Sequence, residues 1–251
     1  MCSSDLQERE WQHAIEAGQK LEVLSGRSLA LQIAHYYCEL AEQAASKKDF
    51  TAARAFVKKA QSGRPRTLRG ALTRAEIAQA TQDTRTALRL YHRIIDESTY
   101  LITEALPKLV EIHSREGSVD ELERDLRAML GKNPGMTTDV AYTAIVSNIG
   151  GIAAIDECVE HYMLNEPTLS DFIDLQRMDQ AEKSERDAAL GKVRSALSRL
   201  AASTPRYKCT ECGFSSQRLL WQCPSCKNWE TQRPFSRVQF DSLLQRSVVM
   251  R

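Results

Sequence analysis

Apolar residues recur at intervals of three and four positions through residues 1–204, where glycine and proline are sparse. This spacing puts apolar side chains on one face of a helix, and the alternation that would indicate strands is absent. Between Ala34 and Pro65 the pattern predicts one helix, a turn at residues 47–49 and a second helix. An aromatic content of 6% agrees with helix rather than sheet. The pattern therefore predicts an all-α protein made of helix pairs.

The helix pair recurs with a period of about 34 residues, the length of a tetratricopeptide repeat, which this array resembles. In the first full unit, Ala41, Ala53 and Ala60 occupy the positions where such a repeat needs small residues for close helix approach. Later units run through Ala75, Ala87 and Ile94, from Ile102 to Pro134, and on to Pro167. We therefore predict a tetratricopeptide-repeat superhelix over residues 29–168.

The two ends of the array have their own predictions. Residues 11–15 resemble the start of a repeat's second helix, so residues 1–28 are interpreted as a partial repeat. We expect its missing half to precede this chain, or another chain to cover that end. Residues 169–204 are predicted to form two capping helices, ended by Pro205. Residues 236–251 are interpreted as a C-terminal tail.

Four of the seven cysteines form two C-x-x-C pairs, Cys209 with Cys212 and Cys223 with Cys226. Two such pairs ten residues apart are typical of a metal site whose ligands are all thiolates. We predict one metal ion in a small rubredoxin-like ribbon over residues 205–235. Because the ligand set is closed, the expected role is structural rather than catalytic.

The identity of the metal has two candidates. Soft thiolate ligands favour zinc or iron. Zinc is the preferred prediction, and an iron protein that transfers electrons is the alternative. Lys227 stands where rubredoxins commonly have glycine, and the loop between the cysteine pairs is short. Both features favour zinc over a redox rubredoxin.

The remaining residues indicate no enzyme. The sequence has no phosphate-binding loop, no nucleophile elbow and no zinc-protease motif, and its five histidines share no spacing. A net charge of +1 gives no global field for nucleic acid. No stretch reaches the roughly 18–20 apolar residues that span a bilayer, and no signal peptide is recognised, so a cytoplasmic location is expected.

A zinc ribbon that binds single-stranded nucleic acid remains an alternative, because aromatic and basic residues occur together in the ribbon. The preferred interpretation is that they form the ribbon's core and its contact with the helices, with no nucleic acid bound. The residues concerned are Phe214, Arg218, Trp221, Lys227, Trp229 and Arg233.

Helical repeats followed directly by such a ribbon resemble the lipopolysaccharide assembly protein B family. The specific matches are residues 34–40 (AHYYCEL), 205–214 (PRYKCTECGF) and 221–226 (WQCPSC). The resemblance implies a non-enzymatic regulator at the cytoplasmic face of the inner membrane, acting with the FtsH protease to control levels of the deacetylase LpxC. It also implies partners among the lipopolysaccharide-assembly proteins, metal binding by the four cysteines, and a membrane anchor and further repeats before the region matched here.

A repeat array also presents a curved groove lined by the first helix of each pair. We expect this wall to expose His35, Glu42, Arg69, Glu76 and His113. Such a polar groove suits a peptide segment or helix of a partner. The leading functional prediction is therefore an adaptor that uses both groove and ribbon.

Overall fold

A computed structural model describes residues 10–62, 67–165 and 205–234, together with six helical residues between 188 and 199. The first two ranges contain nine α-helices and one short 3-10 turn at Thr99–Leu101. The helices are α1 (Trp11–Ser25), α2 (Ala30–Ser46), α3 (Phe50–Ser62), α4 (Leu68–Ala80), α5 (Thr84–Glu97), α6 (Ile102–Glu116), α7 (Val119–Lys132), α8 (Met136–Ser147) and α9 (Ala153–Asn165). These helices confirm the all-α class and are consistent with a helical repeat array.

Some predictions lie outside the described residues. Pro65 and Pro167, which were expected to close two repeats, are among them. So are most of the two predicted capping helices and the tail at residues 236–251. None of the helices in the described part of the chain is long and apolar enough to cross a membrane.

The chain divides into two compact units, residues 1–97 and 98–251. In the first, α2 pairs with α3 and α4 pairs with α5, and α1 packs against α2. Ala41, Ala53 and Ala60 are each 0% exposed, as the repeat pattern predicts. Larger side chains at these positions would separate the paired helices.

Helix α1 packs through an aromatic contact. The rings of Trp11 and Tyr36 are stacked with their centroids 5.6 Å apart. The helix ends at Gly26, whose φ of 66° is the left-handed conformation that favours glycine at a helix C-terminus. The predicted helix beginning near Trp11 is therefore confirmed.

In the second unit, α6 packs against α7 and α8, and α9 packs against α7 and α8. Apolar residues of the repeat unit predicted from Ile102 to Pro134 fill this core, and Leu106, Leu109, Ile112, Leu122 and Leu126 are all 0% exposed. Residues 148–152 connect α8 to α9.

The ribbon belongs to the second unit and is a three-stranded antiparallel sheet. Its strands are β1 (Tyr207–Cys209), β2 (Ser215–Ser216) and β3 (Gln232–Pro234), in the order β2-β1-β3. Tyr207 pairs with Ser216 on one side and with Pro234 on the other. The central strand β1 thus leads directly into the first cysteine pair.

Candidate metal centre

The two C-x-x-C segments fold into the same tight turn. The carbonyl of Cys209 accepts a hydrogen bond from the N–H of Gly213 at 3.0 Å. In the second segment, the carbonyl of Cys223 accepts from the N–H of Lys227 at 2.9 Å. Each bond spans four residues and folds its two thiols toward the same side.

A second hydrogen bond repeats in both turns. The Cys209 N–H donates to the Phe214 carbonyl at 2.8 Å, and the Cys223 N–H donates to the Asn228 carbonyl at 2.9 Å. The two segments therefore share one backbone motif. In each segment, hydrogen bonds between nearby residues are enough to hold the two cysteine sulfurs close together.

The residue after each pair takes a left-handed backbone conformation. Gly213 has φ of 76° and Lys227 has φ of 62°. Glycine adopts this conformation without penalty, whereas an L side chain such as lysine is strained there. Lysine at position 227 therefore makes the turn less stable than glycine would, but it leaves the backbone geometry of the turn unchanged.

The four sulfur atoms form one cluster. All four Sγ atoms lie within 4.8 Å of one another. The Cys209 and Cys226 sulfurs are 3.7 Å apart, and the Cys212 and Cys223 sulfurs are 3.5 Å apart. A tetrahedral ion with metal–sulfur bonds of about 2.3 Å requires sulfurs about 3.8 Å apart. The cluster therefore fits one tetrahedral metal ion.

Hydrogen bonds within the ribbon favour a thiolate at Cys209. Burial raises the pKa of this thiol, but the Thr231 hydroxyl and the N–H groups of Cys212 and Glu211 outweigh it and lower the pKa to about 6. The Thr231 Oγ1 lies 3.2 Å from the sulfur, and a hydrogen bond between the two groups favours the thiolate form. This ligand is accordingly ready to bind a cation at neutral pH.

Cys226 shows the opposite effect. The N–H of Asn228 lowers the pKa of this thiol, but burial and the three neighbouring cysteines raise it to about 12. Four thiolates cannot ionise together at this distance unless a cation offsets their charge. A bound metal cation would therefore allow all four ligands to be deprotonated together.

The cluster lies at the surface of the ribbon. Cys209 and Cys223 are buried, Cys226 is half-buried and Cys212 is exposed. With four sulfur ligands, a tetrahedral ion has no position left for substrate or water, so the arrangement suits a structural centre. The predicted metal ligands are thus brought together in one site.

The ribbon is docked on the helices of its own unit. The Tyr207 hydroxyl on β1 donates a hydrogen bond to the Glu104 carboxylate on α6. The Arg233 guanidinium on β3 lies over the Tyr100 ring, 4.2 Å from its centroid. The contact with the helices that the sequence analysis expected for the ribbon's aromatic and basic residues is observed at Arg233. Because Arg233 is held here, one cation considered for nucleic-acid binding serves a contact within the protein.

The expected partner groove needs a correction in the first unit. His35 is 0% exposed and Arg69 is 2% exposed, so the prediction that they line an open wall is wrong. Arg69 donates to Glu42 at 2.9 and 2.8 Å and to Glu39 at 2.8 Å. Helix α2 is covered by α1, α3 and α4, so more than one of its faces is buried. Glu76 is exposed, as expected.

His113 in the second unit is also buried, at 2% exposure, which is again contrary to the expectation. Its Nδ1 lies 2.9 Å from the Ser118 hydroxyl and 3.1 Å from the Ser118 carbonyl oxygen. These contacts tie the imidazole to the turn between α6 and α7. The side chain therefore has a structural role in this turn.

Comparison with known proteins agrees with the fold and the site. Residues 207–234 match the family described as rubredoxin metal binding domain. Lipopolysaccharide assembly protein B of Escherichia coli strain K12 is 27% identical over 227 residues, covering 90% of this chain and 58% of that protein. The Haemophilus influenzae protein of the same name is 23% identical over 233 residues, covering 92% of this chain and 59% of that protein.

The similarity confirms the resemblance identified from the sequence, in the helices as well as in the ribbon. The chain spans somewhat under three-fifths of the length of these relatives.

Proposed function

We propose that this chain is a non-enzymatic adaptor in lipopolysaccharide assembly, which presents a protein client to a protease. The proposed partners are the FtsH protease and its client LpxC, at the cytoplasmic face of the inner membrane. A role in lipopolysaccharide assembly is supported by two relatives named lipopolysaccharide assembly protein B, each of which matches about nine-tenths of the chain. The finer assignment of partners follows from the family resemblance.

The observation that carries the adaptor role is the closed metal centre on a docked ribbon. Four sulfurs lie in one cluster, so an ion held there has no free coordination position for chemistry on a substrate. We propose zinc as this ion, which supplies folding energy that a ribbon of about 30 residues cannot obtain from its own small core. The metal then shapes a surface, and any reaction on the client belongs to the protease.

The docking contacts explain why the ribbon contributes to binding as part of a larger surface. Tyr207 and Arg233 fix it to Glu104 and Tyr100 at the start of the second unit. A fixed module adds a partner surface without the entropic cost of ordering a mobile one. Loss of the metal would remove this surface together with the contacts that hold it.

The test is client turnover in cells that depend on this protein. Cys209→Ser and Cys223→Ser are expected to change the half-life of LpxC to the value found in cells lacking the protein. Cys158→Ala is the matched control, since it removes a buried thiol that lies on α9 outside the metal cluster. If both serine variants keep the wild-type LpxC half-life, the ribbon is dispensable and the proposal fails.

A further inference from the structure

A surface groove lies within the first unit, between helices α3, α4 and α5. It encloses about 640 Å³, which falls in the range of about 300–1,000 Å³ typical of ligand pockets. Val57 from α3 and Ile77 and Ala78 from α4 form its floor, and each is at most 5% exposed. The bottom of the groove is thus the apolar edge of the core.

The rim of the groove is basic. Arg54 and Lys58 come from α3, Arg74 from α4 and Arg89 from α5, and all four side chains are exposed. Within the described part of the chain, Lys58, Arg74 and Arg89 have no carboxylate within ion-pair distance. The rim therefore keeps most of its positive charge available to a ligand.

The contacts of Arg54 and Asp83 show how far the protein itself offsets the positive charge of the rim. The Arg54 guanidinium donates to the neutral Thr81 hydroxyl at 2.8 Å. Among the described lining residues the acidic one is Asp83, which directly precedes α5 and accepts from the Thr86 N–H at 3.2 Å. This carboxylate also interacts electrostatically with Arg54 and Arg89, but one negative charge beside the four rim cations leaves the rim with a net positive charge.

We propose that this groove binds an acidic peptide segment of a protein partner, with apolar side chains on the floor and carboxylates paired to the rim. The combination of an apolar floor with surrounding cations is complementary to an acidic amphipathic segment. A phosphate backbone would engage the rim alone and leave Val57 and Ile77 without a contact. The apolar side chains on the floor of the groove therefore favour a peptide ligand over nucleic acid.

This surface differs from the groove expected from the repeat pattern, because α3 and α5 are the second helices of their pairs. It goes beyond the proposed adaptor function, from which it takes only its biological context. Peptide binding by the purified full chain is measured without any client or protease. The two proposals can therefore fail separately.

The experiment is fluorescence anisotropy with a short labelled peptide that alternates glutamate with leucine. Saturable binding is expected, and it should weaken as salt is raised. Arg74→Glu and Arg89→Glu should each raise the Kd about tenfold or more, which corresponds to about 1.4 kcal/mol. Arg85→Glu is the matched control, because this exposed residue lies on α5 outside the groove, and its Kd should stay within about twofold of wild type.

Two further probes test the floor and the ligand class. A peptide with serine in place of leucine should bind more weakly, and a single-stranded oligonucleotide should bind more weakly than the acidic leucine peptide. The proposal is overturned if the leucine peptide does not bind at low salt, or if Arg85→Glu weakens binding as much as the rim variants. Equal binding of the serine peptide, or tighter binding of the oligonucleotide, would overturn it as well.

Discussion

The hydroxyl of Tyr207 donates a hydrogen bond to the carboxylate of Glu104, which joins the first strand of the ribbon to helix α6 across 103 residues of sequence. Tyr207 is 1% exposed. Burial and the adjacent carboxylate raise the pKa of its hydroxyl, so the hydroxyl stays protonated and remains a donor. This bond links the metal module to the helices at a point two residues before the first cysteine ligand.

Removing the Tyr207 hydroxyl should destabilise the metal-loaded protein. Tyr207→Phe leaves the partly buried Glu104 carboxylate without its donor, and a lost hydrogen bond to a charged group costs about 1–3 kcal/mol. Urea unfolding of the metal-loaded chain measures the change. A double-mutant cycle with Glu104→Ala, which removes the acceptor, is the control. Effects of the two substitutions that add to within about 0.5 kcal/mol would mean that the residues do not interact, contrary to this prediction.

The two left-handed positions of the metal turns should respond in opposite directions. Gly213→Ala places a Cβ on a residue with φ of 76° and should cost about 1–2 kcal/mol. Lys227→Gly relieves similar strain but increases chain entropy in the unfolded state, so a net gain of about 0.5–1 kcal/mol is expected. Competition with a zinc chelator measures both. Equal losses of affinity in the two variants would contradict the shared turn geometry.

The fold followed largely from local pattern. Repeat spacing and side-chain size identified Ala41, Ala53 and Ala60, because close helix approach restricts those positions to small residues. The cysteine spacing likewise identified all four sulfur ligands, since each pair forms its turn from adjacent residues. Both inferences depend on residues that are close together in the sequence, within one helix pair or one turn.

Contacts that depend on how distant elements dock were not accessible from the sequence. The Tyr207–Glu104 bond joins residues whose sequence neighbours give no sign of each other. The error at His35 and Arg69 has a related cause. A single apolar stripe was assumed for each helix, whereas α2 is covered on several sides and buries His35, and Arg69 on α4 is buried against Glu39 and Glu42 of α2.

The buried ion-pair network should contribute strongly to the stability of the first unit. Arg69→Ala leaves Glu39 and Glu42 without their cation. Because these carboxylates are partly exposed, a loss of about 3 kcal/mol is expected, at the low end for a broken buried pair. Arg69→Lys should recover only part of it, since lysine cannot donate in the bidentate geometry. Urea unfolding tests this, with Arg85→Ala as the surface control. A loss no larger than that of the control would show that the network adds no stability.

Removal of the metal should unfold the ribbon while the helices persist. The ribbon's strands are two or three residues long, so its fold depends on the ion rather than on a large core. A chelator should change tryptophan fluorescence through Trp221 and Trp229 and leave most of the far-UV circular dichroism intact. Helical signal lost in parallel with the metal would instead mean that the helices depend on the ion.

The most direct measurement is the metal content of the purified chain after expression in zinc-replete medium. We expect one zinc ion per chain in a colourless protein, with the ion lost in Cys223→Ser and retained in Cys158→Ala. A red protein containing iron would contradict the assignment of zinc. A chain with no bound metal, or one whose metal survives Cys223→Ser, would contradict the four-thiolate centre itself.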